Sequence, residues 1–192
     1  MNTSTTFYIG LVLVVAVQRI LELRLSKNNT KRLLDQGAVE VGSGHYPAMA
    51  TLHTVWLFAC IGEAMWRNQT PPMPLVVVGL TMLVIGQILR LVAIKTLGPR
   101  WTTRIIVVPH ARVVNDGIFR FIRHPNYLGV VLEIAALPLI FGGWMTASIF
   151  TVANGWLLLV RIKTEEQELS RLNNYEATFE GKNRFIPMGR TS

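Results

Sequence analysis

Five apolar runs constrain this chain more than any other feature of its sequence. They cover residues 7–25, 47–66, 75–97, 128–141 and 144–160. A transmembrane helix needs about 20 mainly apolar residues, because each residue advances about 1.5 Å across a hydrocarbon core about 30 Å thick. The sequence therefore predicts an all-α integral membrane protein with about five transmembrane helices, of which the fourth is short.

The composition agrees with a membrane protein and excludes a disordered chain. Of the 192 residues, 51% are hydrophobic and 16% are charged, and the mean hydropathy is +0.37. The length suits a single domain, 1–192, with three spans and a connector in its first half, 1–97. Because apolar runs dominate the chain, the net charge of +8 predicts anionic membrane lipids as partners and no nucleic acid.

Basic residues are unevenly distributed between the connectors. Of the 19 lysines and arginines, only Arg67 falls in a loop on the side opposite the others. Cytoplasmic loops of membrane proteins carry an excess of basic residues. We therefore expect the N-terminus outside, and the connectors 26–46 and 98–123 and the tail from 161 in the cytoplasm.

The connectors also predict local structure. Residues 26–32 indicate a surface helix at the lipid headgroups, which Gly37 would break. Residues 105–108 resemble a β-strand and 115–117 form a strong turn signal, so this segment is either a short hairpin or a lining for a ligand. Residues 161–179 indicate a charged helix that continues the fifth span.

The motif Arg123-His124-Pro125-Asn126-Tyr127 stands where the fourth apolar run begins. Proline is favoured in the first turn of a helix, because the N–H that it lacks has no intrahelical partner there. One interpretation is a helix start with interfacial anchors. The other is a polar pocket, in which the free N–H groups of the helix N-terminus suit a carboxylate.

A second polar cluster follows the fifth span. Arg161 and Glu165 are four residues apart and would share one face of a helix. An exposed charged helix would explain such a pair without any site. However, the fifth span should bring Arg161 to the membrane face where His124 and Tyr127 begin the fourth, so the two clusters together indicate a site.

These motifs resemble one family of membrane enzymes. Arg-His-Pro-Asn-Tyr at 123–127, Glu-Glu-x-x-Leu at 165–169 and Arg-Phe-Ile-Pro at 184–187 look like the isoprenylcysteine carboxyl methyltransferase family. The resemblance implies an S-adenosylmethionine-dependent methyltransferase whose cofactor pocket faces the cytoplasm, with 98–192 as the cofactor-binding and catalytic half. No metal site is expected.

The resemblance also implies roles for individual residues. The positions that match the family's cofactor-binding segments are His110, Val113, Phe119, His124, Pro125, Asn126, Tyr127 and Glu165. Phe119 stands where the family has a tyrosine. Arg161 matches an arginine that the family assigns to its substrate, and is therefore a predicted catalytic residue.

The chemistry of S-adenosylmethionine agrees with these roles. Glu165 suits the ammonium group, and the helix N-terminus with His124 suits the carboxylate. Tyr127 or Trp101 could face the sulfonium through a cation–π contact. Methyl transfer is an in-line displacement in which charge disappears, so positioning of the reactants should dominate catalysis.

Glu133 is an intramembrane carboxylate with three open interpretations. It could orient Arg161, or it could act as a general base for a phenol or enol acceptor, whereas a carboxylate acceptor needs no base. It could equally form an ion pair with Arg90 of a neighbouring span. We include Glu133 with Arg161 among the predicted catalytic residues.

The first half resembles bacterial members of the family found beside polyketide synthases that make long-chain pyrones and resorcinols. The matching residues are Arg19, Glu22, Ser26, Asn28, Gly37, Ala38, Glu40, Gly42, His45, Tyr46 and His53. This implies a bacterial inner-membrane enzyme that methylates a lipophilic phenol or pyrone hydroxyl. The alternatives are carboxyl methylation of a prenylated cysteine and a non-catalytic scaffold or transporter. His45 and Tyr46 either approach the acceptor or anchor the interface.

Overall fold

A computed structural model describes residues 2–185, so the Ile186 and Pro187 of the predicted closing motif lie outside the described part. In chain order the helices and strands are α1 (Thr3–Asp35), β1 (Val39–Val41), α2 (His45–Arg67), α3 (Met73–Leu97), β2 (Ile105–Val107), α4 (Pro125–Ile140), α5 (Trp144–Leu172) and α6 (Tyr175–Thr178). Two short 3-10 helices, Gly98–Arg100 and Gly117–Arg120, flank β2.

The helices confirm an all-α integral membrane protein. By length and composition α1, α2, α3 and α5 could each cross a membrane. Helix α4 has 16 residues and reaches about 24 Å. Within residues 2–185 it is the shortest of the five apolar helices, and it completes the bundle. Large apolar side chains such as Phe7, Phe58 and Val152 are more than 70% exposed, which suits helices surrounded by lipid.

The predicted surface helix at 26–32 is not a separate element. Helix α1 continues without a break to Asp35, because no glycine or proline stands between Gly10 and Gly37. Two of its polar residues face the connector after α3: the Ser26 hydroxyl lies 2.8 Å from that of Thr103, and Asn29 Nδ2 donates to the Trp101 carbonyl at 2.8 Å. Four more polar residues of this segment are exposed, namely Lys27, Asn28, Lys31 and Arg32.

The two strands form one small antiparallel sheet. Val39 lies opposite Val107, and Val41 lies opposite Ile105. The alternative of a local hairpin across 105–117 was therefore wrong, because β2 pairs with a strand more than 60 residues away. The turn signal at 115–117 instead precedes the 3-10 helix that begins at Gly117, whose φ is +53°.

Helices α4 and α5 form a hairpin that brings the two sequence motifs together. Pro125 is in the first turn of α4, as predicted, and His124 is the residue that precedes the helix. Helix α5 runs from Trp144 to Leu172 without interruption and so carries Arg161 and Glu165 on from the apolar span. The expected helix to 179 breaks at Asn173 and resumes as α6.

Hydrogen bonds define the two ends of the bundle. At one end, Asn2 Nδ2 donates to the Asn68 carbonyl at 3.0 Å, and the backbone N–H of Thr146 donates to Glu63 at 2.8 Å. At the other end lie the β-sheet, the connector 98–124 and the second half of α5, where the His110 N–H donates to the Leu172 carbonyl at 3.1 Å. We call this second end the polar end.

Glycines allow α3 and α4 to pack closely. A Cβ atom added to Gly129 would lie 2.6 Å from both the Gly86 carbonyl oxygen and Arg90 Cγ. Backbone at such a short distance leaves no room for a methyl group, so the contact depends on glycine.

We expect Gly129→Ala to lower the free energy of unfolding in detergent by about 1–3 kcal/mol, because overpacking forces the two helices apart. Gly155→Ala on α5 is the matched control, since a Cβ there meets nothing within 4 Å. Equal stability of the two variants, measured by equilibrium unfolding, would contradict the close-packing argument.

Candidate active site

A cavity of about 170 Å³ lies at the polar end of the bundle. An ordered water needs only about 10–15 Å³ by the same measure, so the cavity is large enough for part of a small molecule. Its walls come from β2 and the connector around it, the start of α4, the polar half of α5, and α6. Residues 105–108 are among these walls, which agrees with the second interpretation of this segment as a lining for a ligand.

The cavity brings together most of the residues predicted from sequence. All but His110 and Glu133 contribute to its walls, namely Val113, Phe119, His124, Pro125, Asn126, Tyr127, Arg161 and Glu165. The two motifs meet because α4 and α5 are antiparallel neighbours, so the start of one helix lies beside the polar half of the other.

Tyr127 links Arg161 and Glu165 at the centre of the site. Arg161 Nε donates to the Tyr127 hydroxyl at 2.8 Å, and that hydroxyl donates to the Glu165 carboxylate. The guanidinium carbon of Arg161 also lies 5.6 Å from the Tyr127 ring centroid. The single hydroxyl therefore links a cation and a carboxylate from the same face of α5.

His124 is held beside this chain of hydrogen bonds. Its ring stacks on Tyr127 with the centroids 5.2 Å apart, and it is 4% exposed. Its Nε2 lies 3.0 Å from a Glu166 oxygen, and its backbone N–H donates to the Arg184 carbonyl at 3.0 Å. Within residues 2–185 no side chain caps the first turn of α4, so the N–H groups of this turn are available for an anion.

Several buried polar atoms around the cavity have no hydrogen-bond partner among the described residues. They are Trp101 Nε1, Asn126 Oδ1, Asn173 Oδ1 and the Tyr175 hydroxyl. Buried polar groups in native proteins are nearly always paired, and unpaired ones need an explanation such as a ligand or water. Four such atoms around one cavity fit a ligand with several polar groups.

Sequence reasoning did not select Asn173 or Tyr175. Burial raises the pKa of the Tyr175 phenol, and the nearby Glu165 and Glu166 add to this effect, so the hydroxyl stays protonated and can donate. The available signal was the Asn-Asn-Tyr sequence at the start of α6, separated from the Glu-Glu-x-x-Leu motif by three residues.

His110 does not line the cavity. It is exposed, its φ is +60°, and it borders an adjoining surface depression with Arg171 and Asn174. Val113, three residues later, lines both the cavity and this depression. His110 therefore lies at the outer edge of the site.

Glu133 lies in a separate cluster of buried charges. Its Oε2 is 2.8 Å from Arg19 NH2 and 3.4 Å from Arg90 Nε, while Glu22 contacts both arginines. Of the three interpretations of Glu133, the structure therefore shows the ion pair with Arg90. No contact joins Glu133 to Arg161. Six residues separate Glu133 from Tyr127, which turns the two side chains to different faces of α4.

His45 and Tyr46 lie near the cavity without lining it. His45 Nδ1 is 3.1 Å from the Gly42 carbonyl oxygen. The guanidinium carbon of Arg104 lies over the Tyr46 ring, 4.6 Å from the ring centroid. Arg104 itself lines the cavity, and its NH1 lies 2.8 Å from a Glu40 oxygen. Whether either residue contacts an acceptor stays a prediction.

Comparison with known proteins identifies a family that the chain resembles. Residues 77–171 match the sequence model of the isoprenylcysteine carboxyl methyltransferase (ICMT) family. The YpbQ protein of Bacillus subtilis is 35% identical over 83% of this chain and 94% of its own length. A Haemophilus influenzae protein is 29% identical over 80% of this chain and 90% of its own length.

Plant enzymes match a shorter part. Protein-S-isoprenylcysteine O-methyltransferase B of Arabidopsis thaliana is 32% identical over 48% of each chain. The family match spans α4, Arg161 and Glu165, which form the centre of the cavity. With its apolar helices and this shared region, the chain belongs to the isoprenylcysteine carboxyl methyltransferase family and is a membrane methyltransferase.

Proposed function

We propose that this methyltransferase uses S-adenosylmethionine to methylate a lipophilic acceptor, preferentially the hydroxyl of a polyketide-derived phenol or pyrone. The observation that carries the proposal is the Glu165–Tyr127–Arg161 chain in one cavity at the polar end of the membrane helices. It offers the Glu165 carboxylate for a cationic cofactor. It offers the Arg161 guanidinium for an acceptor oxygen.

The residues present fit S-adenosylmethionine. Glu165 would hold the ammonium group, and the uncapped N-terminus of α4 would hold the carboxylate. The unpaired polar atoms of Trp101, Asn173 and Tyr175 would serve the polar groups of the adenosine. When bound, the cofactor supplies a methyl group activated on a sulfonium.

Arg161 would act on the acceptor. Its guanidinium could bind a carboxylate through two parallel hydrogen bonds, or it could stabilise the oxyanion of a phenol or enol. Arg161 is 6% exposed, and the low polarity of such a site strengthens either interaction. Tyr127 would hold its orientation relative to the cofactor side.

The extent of the matches supports an acceptor other than prenylcysteine. The two bacterial relatives match along at least 80% of this chain, whereas the plant enzyme named for isoprenylcysteine matches over 48%. Residues outside the shared half, such as those of α1 and β1, therefore need not serve the plant enzymes' acceptor. Carboxyl methylation of a prenylated cysteine is the second candidate, because the family match includes Arg161.

We also propose the bacterial inner membrane as the location, with the N-terminus outside and the cavity facing the cytoplasm. The basic connectors lie at the polar end of the bundle, and Arg67 lies at the other end, near the contact between Asn2 and Asn68. The tendency of basic loops to stay inside supports this orientation.

Equilibrium binding of S-adenosylmethionine to the detergent-purified protein tests the enzyme against the scaffold or transporter. We expect saturable binding. No binding at millimolar cofactor would reject the proposed function.

A pH–rate series with Arg161→Lys separates the two acceptor classes. With a phenol or pyrone, the rate should rise with pH until the acceptor ionises, and the variant should shift this profile to higher pH, because lysine stabilises the oxyanion less well. With a carboxylate, the wild-type profile should be flat and the variant should raise only the KM for the acceptor.

Alkylresorcinol and prenylcysteine acceptors should be compared in parallel, with cofactor affinity measured as the control. A flat profile with prenylcysteine as the better substrate would overturn the preferred acceptor. Normal activity of Arg161→Ala on both would remove Arg161 from the site.

A further inference from the structure

Glu166 is a carboxylate next to the cavity that the proposed function does not use. Its neighbour Glu165 lines the cavity, whereas Glu166 does not, because successive residues of a helix point about 100° apart. Glu166 instead faces the start of α4 and the segment 182–184. Three basic side chains surround it, those of Arg123, His124 and Arg184.

Glu166 fixes the ring of His124. Its Oε1 lies 3.0 Å from His124 Nε2. The same ring stacks on Tyr127, and its centroid lies 6.5 Å from that of the Phe185 ring. A hydrogen bond at one ring nitrogen sets the orientation of a histidine and favours one tautomer. The ring plane of His124 in the cavity is therefore set from outside the cavity.

Glu166 also holds the backbone of His124 through the segment 183–184. Arg184 donates to the two Glu166 oxygens at distances from 2.6 to 3.2 Å. The carbonyls of Asn183 and Arg184 accept from the backbone N–H groups of Arg123 and His124 at 3.1 and 3.0 Å. Because α4 begins directly after His124, these contacts set where its first turn lies.

From this geometry we infer that Glu166 is a positioning residue for methyl transfer, acting through His124 on the cofactor side of the cavity. The inference rests on the proposed use of S-adenosylmethionine. Glu166 touches neither the cofactor nor the acceptor. It places the His124 ring and the N-terminus of α4, which are the groups proposed to receive the cofactor carboxylate.

A double-mutant cycle on cofactor affinity tests the inference. We expect Glu166→Gln to weaken S-adenosylmethionine binding about tenfold, as for loss of a hydrogen bond to a charged group, with acceptor KM changed by less than about twofold. In a His124→Asn background the same change should have a clearly smaller effect, because the contact with the ring is gone while the contacts through Arg184 remain. Asparagine keeps a side chain suited to the residue before a helix.

Two further variants separate positioning from fold support. Glu166→Asp should recover part of the affinity, because it keeps the charge near His124. Glu168→Gln is the matched control on the same helix, since Glu168 pairs only with exposed Arg171 among the described residues, and it should bind the cofactor like the wild type. Thermal unfolding without cofactor identifies any variant that fails to fold.

Several outcomes would overturn the inference. One is an undiminished effect of Glu166→Gln in the His124→Asn background, and another is unchanged cofactor affinity in folded Glu166→Gln. A loss that Glu168→Gln reproduces would show a general charge effect. Wild-type protein that binds no cofactor would instead reject the proposed function, and this inference with it.

Discussion

Arg90→Met is expected to lower the free energy of unfolding by about 3–5 kcal/mol, the cost of leaving a buried charge without its partner. Arg90 is 2% exposed on its side chain and contacts Glu22 and Glu133, while Arg19 contacts the same two carboxylates. Two positive and two negative charges are thus balanced between α1, α3 and α4. Removing one cation leaves an excess of negative charge inside the bundle.

Equilibrium unfolding in detergent measures the effect, and Arg24→Met is the matched control, because Arg24 is exposed on α1. The double variant Arg90→Met, Glu133→Gln should regain part of the stability, since Arg19 and Glu22 still form a balanced pair. Arg90→Met as stable as Arg24→Met would contradict the argument.

The same variants separate the interpretations of Glu133. If Glu133 holds the charge cluster, Glu133→Gln should reduce stability, and the surviving folded enzyme should keep its pH–rate profile. If Glu133 were the general base, Glu133→Gln should remove the pH dependence of the rate while the free energy of unfolding stays unchanged. The contacts with Arg19 and Arg90 favour the first result.

Glu165→Gln is expected to weaken binding of S-adenosylmethionine by about tenfold to a hundredfold, because a hydrogen bond between charged groups is worth about 1.5–3 kcal/mol. Glutamine keeps the size of the side chain and an oxygen that can accept from Tyr127. The substitution therefore removes the negative charge while it leaves the Tyr127 contact possible.

The measurement is equilibrium cofactor binding to purified protein, with thermal unfolding to confirm the fold. Glu168→Gln serves as the control for charge loss on the same helix. Unchanged affinity in folded Glu165→Gln would remove this carboxylate from the cofactor site.

The sequence alone determined the features that depend on neighbouring residues. The apolar runs predicted the membrane helices, and Pro125 predicted the start of α4, because helix length and first-turn chemistry are local properties. The four-residue spacing of Arg161 and Glu165 placed both on one face of α5, and the hairpin of α4 and α5 then brought them to Tyr127.

Only the tertiary structure decided the features that depend on distant residues. The partner of β2, the contacts of Glu133 and the fold of α6 onto the cavity each join segments far apart in the chain. The residues of a strand indicate a strand but do not specify which other strand pairs with it. A buried carboxylate likewise pairs with whichever arginine the packing of the helices brings near. His110 shows the same limit, since it borders only the adjoining depression, whereas Val113 also lines the cavity.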